Sequence, residues 1–304
     1  TQIPASESSW GTFNMLRDSN SALLKNVLEK AAASKAKKGS DQQMIGDYYA
    51  TCMDEASIEK AGLNPIKPYL KEIDKLQSQA DIVSLIAKMH NAPLPAVFGF
   101  GAGADLKDSN AVMINAGQGG LTMQGKEYYT KEDAKSVETR AKFVEYMTNM
   151  FKLLGDTPEA AAAHAAKVLE MQTRLAKASL AQTEMRNPDT RYNKITMAAA
   201  QELTPNLSWA AYMAARGVTP EANINLAQPN FFKEVNTMLT DVPVEDWKVY
   251  FRWMTINSTA PALPKAFADE NFNFFGKYLS GQKERQPRWK TCTQAVDGAL
   301  GEAL

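Results

Sequence analysis

The segment Ala134-Lys135-Ser136-Val137-Glu138-Thr139-Arg140-Ala141-Lys142-Phe143-Val144-Glu145-Tyr146-Met147-Thr148-Asn149-Met150-Phe151-Lys152-Leu153-Leu154-Gly155-Asp156-Thr157-Pro158 decides the fold class. From Lys131 to Leu154 the apolar residues recur at helical spacing, and Ala134, Val137, Ala141, Val144, Phe151 and Leu154 read as one buried stripe. Gly155 supplies a stop, and Thr157-Pro158 supplies a cap and a first-turn proline for a second helix running to about Glu184. Two long helices joined so tightly predict an antiparallel pair. The protein is therefore expected to be mainly α, a large multi-helix domain.

The same pattern extends outward in both directions. Toward the N-terminus, Asp81 opens a helix carrying Ile82, Leu85, Ile86 and Met89, and Leu70, Ile73 and Leu76 carry another. Met44, Ile45, Tyr48, Tyr49, Cys52 and Met53 carry a third, opened by Asp41. Toward the C-terminus, helices are expected near 196–203, 207–216, 229–238, 244–257, 261–280 and 286–302. One region departs from the pattern. Ala96-Val97-Phe98-Gly99-Phe100 and Ala111-Val112-Met113-Ile114-Asn115 are short and β-prone, and predict one small β-hairpin around 96–116. The glycine-rich Gly99–Gly103 and Gly117–Gly120 lack the lysine of a phosphate-binding loop.

Composition narrows the function. In 304 residues, 44% are hydrophobic, and 34 Lys and Arg balance 34 Asp and Glu. With no basic tract, nucleic acid is not an expected partner. Two histidines, His90 and His164, do not form the pair one helical turn apart that a zinc helix requires, so no metal site is expected within the chain. No G-x-S-x-G elbow occurs, and the carboxylates are spread over helix faces, so no catalytic residue is assigned. The two cysteines, Cys52 and Cys292, are either free thiols or one long-range disulfide on count alone. The opening residue is Thr rather than Met, which reads as a processed or excised product.

At the N-terminus, Ile3-Pro4 reads as extended chain, Ser8 and Ser9 can cap a helix, and Phe13 starts its apolar pattern. Phe13, Leu16, Leu23, Leu24, Val27 and Leu28 fall on one face of that helix, and Phe13 and Arg17 stand four residues apart. An aromatic wall beside a guanidinium suits a peptide's side chain and its carboxylate.

These landmarks coincide with a known pattern. Ile3-Pro4 through Ser9-Trp10-Gly11-Thr12-Phe13 and Leu16-Arg17-Asp18 resembles the start of the helical domain of neprilysin and endothelin-converting enzyme, the neprilysin-like zinc metallopeptidases. The resemblance continues in order along the chain: Tyr48-Tyr49-Ala50-Thr51-Cys52-Met53-Asp54, Gly120-Leu121-Thr122-Met123 to Tyr128-Tyr129, Arg186-Asn187 with Tyr192-Asn193-Lys194-Ile195-Thr196, and Arg288-Trp289-Lys290-Thr291-Cys292 with the close at Gly298–Leu304.

The resemblance implies that residues 1–304 form the helical cover domain of a zinc endopeptidase. Its partner would be a thermolysin-like catalytic domain of the same protein, lying outside this chain and holding the zinc. The cover would enclose the cavity that admits oligopeptide substrates and contact their primed side. By resemblance, Phe13 lines the pocket for the residue after the scissile bond, Asn14 sits in that pocket, and Arg17 holds the next residue or a free C-terminal carboxylate. Ser9 stands where neprilysin has an arginine, which favours plain endopeptidase action over dipeptide release. The resemblance also pairs Cys52 with Cys292 and implies an extracytoplasmic location. The alternative is a stand-alone helical peptide-binding or scaffold protein without hydrolytic activity.

Overall fold

A computed structural model describes residues 2–219 and 221–304. The chain forms two compact units: residues 66–259 make one, and residues 1–65 together with 260–304 make the other. Fourteen α-helices and four strands occur among the described residues, so the protein is mainly α.

In the split unit, α1 (Thr12–Ala33), α2 (Asp41–Met53) and α3 (Glu55–Ala61) come first. In the continuous unit, α4 (Lys67–Asp74) and α5 (Gln79–Asn91) lead into β1 (Phe98–Asp105) and β2 (Asp108–Gln118). A short α6 (Glu127–Thr130) precedes the long α7 (Ala134–Leu154) and α8 (Pro158–Ala178). Then come β3 (Lys194–Thr196), α9 (Met197–Leu203), α10 (Trp209–Arg216), β4 (Asn223–Leu226), α11 (Pro229–Asp241) and α12 (Val244–Thr259). The chain completes the split unit with α13 (Lys265–Asn271) and α14 (Arg288–Leu300).

The punctuation works as elementary helix chemistry requires. Asp133 caps α7 by accepting from the Ser136 amide at 3.0 Å, and Gly155 ends it at φ +109°, a conformation side chains disfavour. Thr157 caps α8 from its side chain, with Pro158 at the first position. The second helix stops at Ala178, earlier than its pattern suggests. Two expected caps differ. Ser78, not Asp81, caps α5, and Asp81 completes a capping box three residues in. Neither Ser8 nor Ser9 caps α1, whose first turn begins after an extended Gly11 with no side-chain cap. The expected 261–280 helix is divided into α13 and a wider π-helical turn, Phe272–Leu279, after Pro264 sets a new start.

The hairpin lies where expected, but it belongs to a larger sheet ordered β1-β2-β4-β3. β1 and β2 pair antiparallel, with Gly101 opposite Asn115, so the glycine-rich stretch is strand. β4 joins β2 in parallel, with Ile114 opposite Ile224, and β3 adds antiparallel to β4.

The buried stripe of α7 is not the expected one. Thr139, Phe143, Tyr146, Met147, Met150 and Phe151 face inward, whereas Val137 is exposed. The aromatic and methionine side chains have more area to remove from water than the alanines and valines on the other arc. Phe143, Tyr146 and Phe151 meet Trp253, which is fully buried on α12 beside Trp247, Tyr250 and Phe251. Inside this core Gln172 binds the Gly120–Tyr129 turn. It donates to the Thr122 hydroxyl at 2.8 Å and accepts from the Tyr129 hydroxyl at 2.8 Å. Tyr250 donates to the Gly120 carbonyl, and Trp253 donates to Thr122.

In the split unit, Leu28, Ala31, Ile45, Tyr49, Cys292 and Val296 form the core. Cys52 and Cys292 are bonded, closing a loop across a sequence separation of 240. Arg288 donates from Nε and from its terminal nitrogen to the Cys52 carbonyl at 2.8 and 2.6 Å. Helices α1 and α2 cross where Gly46 has no side chain: a Cβ there would lie 2.7 Å from the Ala31 carbonyl.

Replacing both cysteines by alanine is expected to destabilise the split unit by about 2–5 kcal/mol, the range for a native disulfide closing a long loop. Urea melts of the variant and the parent under non-reducing conditions measure it; coincident curves would show that the bond contributes nothing. Gly46→Ala is expected to cost about 1–3 kcal/mol, because the added methyl meets backbone rather than a movable side chain. Gln42→Ala, exposed on the same helix, should stay within about 0.5 kcal/mol in the same melts.

Candidate functional site

The candidate site is built on the first turns of α1. That helix packs through Ser21, Leu28 and Ala31, which turns its expected apolar face outward. Phe13 is 87% exposed, and Leu16, Leu23 and Val27 are exposed with it; of the predicted face only Leu28 is buried. With the polar Asn20 among them, the outward positions 13, 16, 20, 23 and 27 recur at alternating three- and four-residue steps, as in the seam of a helix that meets another surface. Phe13 and Arg17 therefore share a face one turn apart, with Asn14 partly buried between them.

The Arg17 guanidinium is held rather than free. Its terminal nitrogen donates to Glu7 Oε2 at 3.0 Å. Glu7 lies on the approach to α1, in a turn closed by its amide bonding the Pro4 carbonyl. Its other oxygen accepts from Lys290 Nζ and from Gln286 Nε2, both at 2.9 Å. Lys290 also stands 2.5 Å from Asp18 Oδ1, so an ammonium on α14 is bracketed by two carboxylates. Burial disfavours the charged Lys290, but its bonds to Asp18 and Glu7 outweigh that and hold its pKa above the ordinary lysine value. Both Glu7 and Lys290 are buried charges, admissible because each is matched.

Sequence reasoning did not find Glu7, Asp18, Gln286 or Lys290. The one signal in the sequence is Lys290 itself, a charged residue between Trp289 and Cys292 on a helix that buries Cys292, Thr293 and Val296. Cys52 and Cys292, the other expected pair, are joined as described.

The two histidines are far from this chemistry in role. His90 Nδ1 lies 2.7 Å from the Tyr212 hydroxyl within an aromatic cluster that includes Phe98. Burial, with the Arg216 charge in addition, pushes its pKa down to about 4, so it is neutral at ordinary pH. His164 Nδ1 lies 2.7 Å from Asp156, in the connection between α7 and α8. Among the described residues no group of three or more His, Cys, Asp and Glu side chains could hold a metal ion. No described helix is long and apolar enough to cross a membrane.

The model for the N-terminal part of Peptidase family M13, a family of zinc metallopeptidases, matches residues 1–304. Endothelin-converting enzyme 1 of Rattus norvegicus is 27% identical over 99% of this chain and 41% of its own length. Neprilysin-3 of Drosophila melanogaster is likewise 27% identical, over 99% of this chain and 41% of its own length. The structure of the Mycobacterium tuberculosis zinc metalloprotease Zmp1 in complex with inhibitor superposes with a TM-score of 0.95 at 28% identity, over 100% of this chain and 46% of that one. PepO from Lactobacillus rhamnosis shares the fold, with a TM-score of 0.83 at 18% identity, over 98% of this chain and 47% of that one. The chain thus spans less than half the length of the relatives it matches. With the family model matching from the first residue to the last, the chain belongs to Peptidase family M13.

Proposed function

We propose that residues 1–304 are the non-catalytic helical half of a neprilysin-like zinc endopeptidase, enclosing the reaction cavity and contacting the primed side of oligopeptide substrates. The observation that carries the reading is the outward face of α1. It presents Phe13, Leu16, Leu23 and Val27 to solvent beside a guanidinium that is 49% exposed. An apolar stripe interrupted only by Asn20 and left open in this way marks a surface that meets something. A zinc-bearing domain covering most of the stripe, with the Phe13–Arg17 end left over the cavity, accounts for it. In this reading Phe13 lines the pocket after the scissile bond, Asn14 shapes it, and Arg17 receives the next residue or a terminal carboxylate. The zinc belongs to the other half.

The disulfide supports an extracytoplasmic location, since such bonds persist in oxidising compartments. Metal analysis separates this reading from a stand-alone peptide-binding protein: the complete protein should carry one zinc, and a protein without zinc would favour simple binding. Arg17→Ala in the complete protein is expected to reduce kcat/KM for peptides ending two residues past the cut by roughly 10-fold or more, the worth of one charge-assisted pair. Longer peptides, which place no carboxylate at Arg17, should lose much less. Equal losses on both classes, measured by cleavage assay, would remove Arg17 from that role.

A further inference from the structure

We propose that Glu7 is the positioning residue for Arg17, fixing one edge of the guanidinium so that the other edge stands ready for a peptide's terminal carboxylate. The inference rests on the reading of Arg17 given above.

The geometry assigns the two oxygens of Glu7 different tasks. Oε1 accepts from Lys290 and Gln286, both at 2.9 Å, and Oε2 accepts from Arg17 at 3.0 Å. The Glu7 side chain is 6% exposed, so water does not compete for these bonds. A carboxylate pinned through one oxygen by two donors cannot turn, and its second oxygen then has a fixed place. Arg17 is tied to that place through one terminal nitrogen, while half of its side chain remains open to solvent. Its remaining N–H groups keep the planar fork that binds a carboxylate through two parallel bonds.

An untethered surface arginine samples many rotamers and loses that freedom on binding; a tethered one has already lost it. The anchor also carries a cost, because Glu7 is itself negative. Lys290 and Asp18 balance that charge locally: two cations and two anions make up the cluster. The incoming carboxylate would approach the solvent edge of Arg17, with the guanidinium between it and Glu7. Ordering therefore outweighs repulsion, and losing Glu7 should weaken carboxylate recognition.

The test uses the complete peptidase and peptide pairs that differ only in a free or an amidated C-terminus two residues past the cut. The quantity read is the ratio of kcat/KM for acid over amide. Arg17→Ala should bring this ratio close to one; if it does not, the reading of Arg17 fails and Glu7 has nothing to position. Given that collapse, Glu7→Gln should lower the ratio by about three- to ten-fold, chiefly through KM, as expected for restored side-chain freedom. In the Arg17→Ala background Glu7→Gln should leave the ratio where it is.

A purely structural Glu7 would lower both peptides together and keep the wild-type ratio, which would overturn the proposal while leaving Arg17 in place. Because Glu7→Gln leaves Lys290 with one carboxylate, Glu7→Gln/Lys290→Gln removes both buried charges and supplies a second variant. A native melting temperature with a lowered ratio in that variant supports positioning, and a native melting temperature with an unchanged ratio refutes it.

Discussion

The contact on which the split unit depends is the buried pair between Glu7 and Lys290. Taking an ammonium and a carboxylate out of water costs several kcal/mol each, and only good geometry with further hydrogen bonds offsets it. Both conditions are met, since Gln286 and Arg17 complete Glu7 while Asp18 completes Lys290. The pair joins the seventh residue to the last helix. Two residues on, Cys292 is bonded to Cys52, and two residues before, Arg288 binds the Cys52 carbonyl. On a helix, positions 288 and 292 lie about 40° apart, while 290 lies roughly 200° from 288. Helix α14 is thus held from opposite sides, by α2 through the disulfide and by the approach to α1 through Lys290. It can neither roll nor slide without breaking one of them.

Fixing α14 in this way fixes α1. The helix is anchored near its start by Arg17 and Asp18 and along its length by Leu28 and Ala31 against the core, with Gly46 of α2 allowing close approach. The anchored side is partly polar, and the free side carries Phe13, Leu16, Leu23 and Val27. That departs from the usual arrangement, because an apolar stripe is left outside. At about 25 cal/mol per Å² of apolar area, covering a few such side chains is worth several kcal/mol. The split unit by itself leaves that stabilisation unrealised, and a surface covering the stripe would recover it.

The same departure explains what the sequence could and could not reveal. Helices with one dominant apolar arc are legible, as with Ile82, Leu85, Ile86 and Met89 of α5, all buried. Caps and stops written in Thr157-Pro158 and Gly155 are legible too, because their chemistry is local. Which arc of α1 or α7 faces inward is not, because the answer depends on the neighbour. On α7, Trp253 of α12 selects Phe143 and Tyr146 over Val137 and Ala141. Strands β3 and β4 escape notice because three and four residues hold too little alternation to read. The roles given to Phe13, Asn14 and Arg17 rest on resemblance. Glu7 and Lys290 lie 283 residues apart, and nothing local announces that they meet.

The landmarks that suggested the family also have a common physical character. Gly120 sits at φ +74° under the Tyr250 hydroxyl, and Tyr129 binds the Met123 amide. Asn193 donates its amide to Asn225, Thr196 caps α9, and Arg288 holds the backbone at Cys52. Each is a bond to main chain, or a bond that sets a main-chain path, so each specifies where elements go rather than what they bind. That is why such residues identify a fold well and a substrate poorly. In the function proposed above, substrate preference would be written where main-chain constraints are weakest, on the solvent-facing first turns of α1. There Ser9 and Asn14 lie outside the buried cluster, whereas Glu7 serves both the tether to Arg17 and the pair with Lys290. In the proposed reading, specificity within this fold is expected to track the exposed residues around Arg17, while Glu7 ties that site to the scaffold through Lys290.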